Sequence, residues 1–295
     1  MTAPFRSGLV AIVGRANVGK STLLNALVGQ KVSIVSAKPH TTRHKLLGVL
    51  AGDGFQAGLL DTPGFLRKGR DQLDAAMSRQ LSSALSDAHV VTLVAEPRHP
   101  GDVEQELMRQ IKASGAPSVL ALNKIDAVAK RRLLPVIARY ADAHEFAAVV
   151  PVSGLARDGL ELLVEAIRDA LPEHGPLFPD EMLTDRSARF LAGEIVREKV
   201  FELYAQEVPY DTVVEVDEFE ERDGAAPDYV RAVVYVDKPS QKQLLIGKGG
   251  AALKEVGVLA RPEIEALTGR PVYLELWVKV NQKWRRKAGF IQRTL

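Results

Sequence analysis

The chain has 295 residues, 46% hydrophobic and 26% charged, a length that accommodates about two domains and an apolar share sufficient for a core in each. With 39 Lys and Arg against 37 Asp and Glu the net charge is only +2, so the overall balance selects no partner. There is no cysteine, which excludes disulfides, thiolate metal sites and thiol catalysis and fits a reducing compartment; with no signal-peptide pattern at the start and no apolar run near the roughly 18 residues of a membrane span, a soluble, cytoplasmic protein is expected.

Residues 9–13, Leu-Val-Ala-Ile-Val, read as a buried strand, and 23–27, Leu-Leu-Asn-Ala-Leu, as a helix. Between them stands Gly14-Arg15-Ala16-Asn17-Val18-Gly19-Lys20-Ser21-Thr22. G-x-x-x-x-G-K-[ST] between a strand and a helix is a phosphate-binding loop. Its glycines let the backbone curl and turn N–H groups onto an anion, and the positive end of the following helix points at the same place. Lys20 supplies a point charge for the outer phosphates, and the Ser21 hydroxyl can hold Mg²⁺.

Residues 31–46 are rich in Ser, Thr, Lys and His and contain Pro39, which predicts a mobile polar loop. Within it Thr41-Thr42-Arg43 offers a hydroxyl for Mg²⁺ and a backbone N–H for a γ-phosphate. The adjacent threonines leave the choice between them open, with Thr42 favoured. Residues 46–50 and 56–60 read as a strand pair around Gly52-Asp53-Gly54. The second strand ends in Asp61-Thr62-Pro63-Gly64. A carboxylate at that tip can hold Mg²⁺ through a water, and Gly64 can offer its N–H to a γ-phosphate and swing when the phosphate leaves.

A helix is expected over 72–85, a strand over 89–95, a helix over 104–114 and a strand over 118–122. That strand runs into Asn123-Lys124-Ile125-Asp126. The Asp126 carboxylate can accept two hydrogen bonds from guanine N1 and its exocyclic amine, an arrangement adenine does not offer. Asn123 and the Lys124 stem can brace the loop and the face of the base. A helix over 131–143, a strand over 147–152 ending in Ser153-Gly154-Leu155, and a helix over 159–171 complete the first half. Strands alternating with helices predict an α/β domain with a mostly parallel sheet covered on both faces and ligand loops at the strands' C-terminal ends.

Taken together, Gly14 to Thr22, Thr41-Thr42-Arg43, Asp61 to Gly64 and Asn123 to Asp126 resemble the translation-factor-like branch of P-loop GTPases, and within it the Era family of ribosome-assembly GTPases. Two positions depart from that family. Ala16 stands where proline is usual, which removes a φ constraint. Ser153-Gly154 stands where Ser-Ala is usual; the motif's role is a backbone N–H for guanine O6, which the glycine can supply from a looser loop.

Three prolines within 172–179 break the last helix and mark a linker, giving expected domains of 5–172, a linker over 173–184 and a second domain over 185–295. The second half reads as a helix over 187–204, strands over 212–219 and 229–236 about an Asp223-Gly224 turn, a helix leading into Gly247-Lys248-Gly249-Gly250, a helix over 262–267 and a strand over 271–280. A G-x-x-G turn before a helix lets a nucleic-acid backbone approach closely, with Ile246, Lys248 and Lys254 beside it. In this α-β-β-α-α-β order it resembles a type II KH domain, the second half of the Era resemblance. From 238 onward there are 12 Lys and Arg against 4 Asp and Glu, whereas 207–228 carries 9 acidic residues and 1 basic, which predicts a basic and an acidic face. Lys283-Trp284-Arg285-Arg286 sets an aromatic among cations and is expected to stack on a base or brace phosphates.

The resemblance implies a slow GTPase that converts GTP to GDP and phosphate with Mg²⁺, using Asn17, Lys20, Thr42 and Gly64. Many related switches orient the attacking water with glutamine after D-x-x-G; here Phe65 takes that place and cannot do so. In related GTPases an asparagine at the Asn17 position accompanies a bound K⁺, so stimulation by K⁺ is expected. The implied partners are the 3′ end of 16S rRNA and the 30S subunit, held in the GTP state and released on hydrolysis by a monomer with weak peripheral contact to the inner membrane. The alternatives are a GTPase whose KH-like unit docks protein and a passive RNA-binding module; intact Lys20, Asp61 and Asp126 argue against the latter.

Overall fold

The computed structural model describes residues 4–36, 38–66 and 71–294, so Ala37 of the polar loop and Leu295 of the basic segment lie outside the described residues. Contacts divide the chain into two units, Met1–Gly69 with Met77–Asp185, and Arg70–Ala76 with Arg186–Leu295.

The first unit is built on β1 (Arg6–Val13), β2 (Leu46–Gly52), β3 (Phe55–Asp61), β4 (Val90–Ala95), β5 (Ser118–Leu122) and β6 (Ala148–Pro151), in the order β2-β3-β1-β4-β5-β6. Only the β2–β3 hairpin is antiparallel. Its helices are α1 (Lys20–Val28), α2 (Gln72–Asp87, whose first turn groups with the second unit), α3 (Asp102–Ser114), α4 (Leu133–Ala143) and α5 (Leu160–Ala170). Successive side chains of a strand point to opposite faces. Val10, Ile12, Val119 and Ala121 therefore pack with Leu23 and Leu24 of α1 and Leu163 and Ile167 of α5. Ala11, Val13, Leu120 and Leu122 pack with Leu107 and Ile111 of α3 and Val136 and Tyr140 of α4. Covering both faces explains why the central strands are continuous apolar runs rather than alternating ones. The strand order reverses at β1, whose neighbours β3 and β4 diverge, and the phosphate-binding loop leaves the C-terminal end of that strand.

The proline-rich segment after α5 is not a loose tether. Leu177 and Phe178 donate their N–H groups to the Gln56 side chain at 2.9 and 3.0 Å, Val49 donates to the Leu183 carbonyl at 2.8 Å, and Ser7 Oγ donates to the Gly175 carbonyl at 2.6 Å. The prolines stop the helix, while backbone pairing with β1, β2 and β3 keeps the extended chain on the first unit.

The second unit runs α6 (Ala188–Leu203), β7 (Val213–Glu220), β8 (Asp228–Val236), α7 (Pro239–Ile246), α8 (Ala251–Thr268), β9 (Val272–Val280) and α9 (Ala288–Thr294). Its sheet has the order β7-β8-β9, antiparallel then parallel. One core joins Val196 and Val200 of α6, Val230, Ala232 and Val234 of β8, and Val256, Ala260 and Ile264 of α8. The helix expected to open at Pro262 does not exist as a separate element: Pro262 lies inside α8. The apolar stripe Val256, Ala260, Ile264 recurs every four residues through the proline and is fully buried, so packing holds the helix continuous. The carbonyl that the proline leaves unbonded belongs to Val258, a residue 57% exposed and therefore open to water.

Among the described residues no helix is long and apolar enough to cross a membrane.

Candidate functional site

Residues 14–21 wrap over the end of β1 with Asn17 in the left-handed region, φ 66°. The Lys20 side chain is buried and its Nζ donates to the Gly14 and Arg15 carbonyls at 3.2 and 2.9 Å, so the cation is held inside the loop. Burial pushes the Lys20 ammonium down to about 8, against the pull of Asp61. Arg15 turns away from the pocket to Glu104 of α3 at 3.8 Å, and Val18 sits in the core. Phe65 donates its N–H to the Gly14 carbonyl at 3.1 Å, which lays Gly64 directly over Ala16. The Phe65 ring packs against the core on the α3 side of the sheet. The pocket left between these elements is lined by Asn17, Lys20, Ser21, Thr22, Thr42 and Gly64.

Asp61, at the tip of β3, is wholly buried. Its Oδ2 accepts from Ser21 Oγ at 2.6 Å, Ser33 Oγ at 2.8 Å and Thr42 Oγ1 at 3.4 Å, and the Ser21 and Thr42 hydroxyls lie 2.7 Å apart. Burial pushes the carboxyl above its ordinary range, with Lys20 and the three hydroxyls pulling the other way. Asp61 Oδ1 is buried with no hydrogen-bond partner among the described residues. A buried carboxylate oxygen left bare beside two converging hydroxyls is an all-oxygen set suited to a hard cation such as Mg²⁺. Ser21, Thr42 and Asp61 are thus brought together as expected. Thr41 is not: its hydroxyl donates to the Lys38 carbonyl at 2.7 Å. Thr62 also faces away, donating to the Ile12 carbonyl at 2.7 Å, and Pro63 is buried beside it.

At the other end of the loop, Asn123 Nδ2 donates to the Val18 carbonyl at 2.8 Å, tying the tip of β5 to the phosphate loop. Lys124, left-handed at φ 68°, donates through Nζ to the Asn17 carbonyl and to Glu96, both at 2.6 Å. The exposed Asp126 accepts from Ser153 Oγ at 2.6 Å, which aims the carboxylate. Gly154 differs from expectation. Its N–H donates to Asn123 Oδ1 at 2.9 Å, so this loop is tied to the tip of β5. The loop is not loose: a Cβ at Gly154 would stand 3.2 Å from the Leu23 Cα of α1, so the glycine permits close packing. Leu155, 81% exposed, follows at the rim.

Sequence reasoning missed Ser33, Glu96 and the Ser153 hydroxyl. Glu96 follows directly on β4, at the same edge as the other loops, a position that could have flagged it. Ser33 carried no signal beyond being polar in a polar loop.

In the second unit Gly247, Gly249 and Gly250 have φ of 70°, 61° and 82°. No heavy atom lies within 4 Å of where a Cβ would stand on Gly249 or Gly250. Lys248 and Lys254 are exposed beside that open backbone, while Ile246 packs into the core. The segment Lys283–Arg286 that follows β9 is different. Trp284 is 1% exposed; its indole donates to the Asp211 carbonyl at 2.7 Å and packs edge-on to Phe290, so it offers no ring to a base. Arg285 pairs with Asp71 at 2.7 Å and Asp74 at 3.4 Å and donates to the Tyr210 carbonyl, which leaves it structural. Only Lys283 and Arg286 of the predicted four remain exposed. Hydrophobic burial and ion pairing explain the difference: an indole amid cations suits a stacking platform, but here the core claims it. The expected separation of charge is likewise softened, because Glu215, Asp217, Glu218 and Asp228 pair with Arg293, Lys279, Arg231 and Arg270.

Comparison with known proteins covers both units. A family model described as "50S ribosome-binding GTPase" matches residues 9–124, and one described as "KH domain" matches residues 207–285. GTPase Era of Xylella fastidiosa (strain M12) is 44% identical over 284 residues, 96% of this chain and 95% of that protein. GTPase Era of Geobacter metallireducens is 44% identical over 95% of this chain and 94% of its own length. Two solved structures each superpose with a TM-score of 0.95 at 40% identity: Era in complex with MgGDPNP and nucleotides 1506–1542 of 16S ribosomal RNA, covering 98% of both chains, and an Aquifex aeolicus Era variant bound to GDP and AlF₄⁻, covering 98% of this chain and 99% of that one. Matched along essentially the whole length of these relatives, the chain belongs to the Era family of GTPases.

Proposed function

We propose that this protein is a GTP-driven switch that binds 16S rRNA near its 3′ end through the turn at Gly247–Gly250 and acts in 30S subunit assembly in the cytoplasm. The observation that carries it is the similarity along 98% of the chain to an Era structure holding both a magnesium-bound GTP analogue and that RNA. In this reading the loop from Gly14 to Thr22 cradles the phosphates, with Lys20 on the outer ones. Asp126, aimed by Ser153, selects guanine; a backbone N–H of the Ser153-Gly154-Leu155 loop meets guanine O6; Lys124 braces the base. Ser21 and Thr42 hold Mg²⁺ with Asp61 behind them, and the ion supplies charge stabilisation to the phosphates. Lys248 and Lys254 meet the RNA backbone, with Lys283 and Arg286 as outlying charge.

RNA affinity for a 3′-end oligonucleotide is expected to be higher with a non-hydrolysable GTP analogue than with GDP; equal affinities in a fluorescence anisotropy titration refute the coupling. Raising salt from about 50 to about 200 mM weakens that binding roughly 50-fold if about four phosphates are neutralised. Absent or salt-independent RNA binding favours a protein-docking role for the second unit instead.

Phe65 offers no group to orient a water, so hydrolysis is slow and other groups must supply the missing charge. Asn17, held left-handed where the Lys124 ammonium meets its carbonyl, is the residue we assign to a K⁺ site. Single-turnover GTP hydrolysis is expected to run faster in K⁺ than in Na⁺, and Asn17→Ala to remove the difference. Equal rates in the two salts with the unaltered protein end that idea.

A further inference from the structure

Ser33 belongs to none of the nucleotide motifs, yet it is 2% exposed and its hydroxyl donates to Asp61 Oδ2 at 2.8 Å. Three bonds from one side chain hold it there. Asn25 Oδ1 accepts from the Val32 and Ser33 N–H groups at 2.9 and 3.0 Å, and Asn25 Nδ2 donates to the Ser33 carbonyl at 2.7 Å. Asn25 lies on α1 four residues after Ser21, so both stand on the same helix face. The Ser33 hydroxyl is therefore keyed to the rigid helix that also presents Lys20 and Ser21.

Thr42 reaches the same carboxylate oxygen more weakly, at 3.4 Å, from the far end of a polar loop. The carboxyl torsion is soft and roughly two-fold, so a buried carboxylate keeps one orientation only if its neighbours load one oxygen and not the other. Here Oδ2 carries all three hydroxyl donors and Oδ1 is bare. We propose that Ser33 is a positioning residue that fixes the orientation of the Asp61 carboxylate beside Ser21 independently of Thr42, and so sets the Mg²⁺ requirement of the GDP-bound protein. This rests on the nucleotide-site reading above.

The test uses the full chain and a fluorescent GDP, with nucleotide dissociation followed against free Mg²⁺. Ser33→Ala is expected to raise the Mg²⁺ concentration for half-maximal retention about tenfold, the scale of one lost hydrogen bond to a buried charge. With a fluorescent non-hydrolysable GTP analogue the shift is smaller, about threefold, because Thr42 then shares the load. In EDTA the affinity for GDP stays within about twofold of the unaltered protein, and Ser33→Thr, which keeps the hydroxyl, restores the Mg²⁺ requirement. An unchanged Mg²⁺ requirement in Ser33→Ala overturns the proposal. So does an equal loss in EDTA, which marks a merely structural role, or a folded Ser33→Thr that behaves like Ser33→Ala. If the unaltered protein itself retains GDP without regard to Mg²⁺, the placing of Mg²⁺ at Ser21, Thr42 and Asp61 fails instead, and this proposal with it.

Discussion

Asp126→Asn lowers GTP affinity by about two to three orders of magnitude and lets xanthosine triphosphate bind in its place. The carboxylate is acceptor-only, and guanine presents two donors to it, the N1–H and the exocyclic amine. An asparagine sets an amide NH₂ against one of those donors, so a hydrogen bond becomes a donor–donor clash and a polar group loses its partner. Xanthine carries a carbonyl where guanine carries the amine, so the asparagine amide can donate to it. Ser153 Oγ, 2.6 Å from Asp126 Oδ1, can bond an amide oxygen as it does a carboxylate, which keeps the side chain in place. The two triphosphates are compared by competition against a fluorescent nucleotide. An Asp126→Asn protein that still prefers GTP removes Asp126 from the recognition of the base.

Replacing Lys248 and Gly249 together by aspartate abolishes single-stranded RNA binding, with a loss of at least about 50-fold at moderate salt, and leaves GTP binding unchanged. One cation is removed and two anions are placed where the RNA backbone has to pass. The substitution is compatible with the fold. Both residues are exposed, and nothing lies within 4 Å of a Cβ on Gly249. Its φ of 61° is a conformation that aspartate adopts more readily than most residues. Anisotropy with a labelled 16S 3′-end oligonucleotide measures the loss, and fluorescent GDP binding checks the first unit. Retained RNA affinity in the double variant moves the RNA site away from this turn. The parallel variant Arg286→Ala costs only a few-fold, because it removes one exposed cation and leaves exposed Lys283 and Lys287 beside it.

The parts of the site that were legible in the sequence share one property: their function depends on backbone shape or on a side chain a few residues from it. Gly14 to Thr22 and Gly247 to Gly250 are local turns, and the order of strand, turn and helix around them is enough to read their use. Asp61 and Asn123 to Asp126 were legible because each directly follows an apolar strand, and in an alternating β/α chain the strand tips gather at one edge of the sheet. The choice between Thr41 and Thr42 was not, because both belong to a loop whose course is set by contacts with α1 and β3 rather than by its own residues.

By itself, then, the sequence determined the two-unit α/β and α+β organisation, the phosphate loop, the Asn123–Asp126 strand tip, the glycine turn and the absence of a water-orienting glutamine after Gly64. Only the tertiary structure decided which partner each remaining polar group takes. It brought Ser33 to Asp61 across 28 residues and gave the Gly154 N–H to Asn123. It buried Trp284 and paired Arg285 with Asp71 across 214 residues, which turned an expected RNA contact into a fold contact. The reason is physical. A turn or a strand is a short-range consequence of backbone sterics and local apolar spacing, whereas burying an indole, a guanidinium or a serine hydroxyl is settled by whatever complementary group the rest of the chain sets beside it.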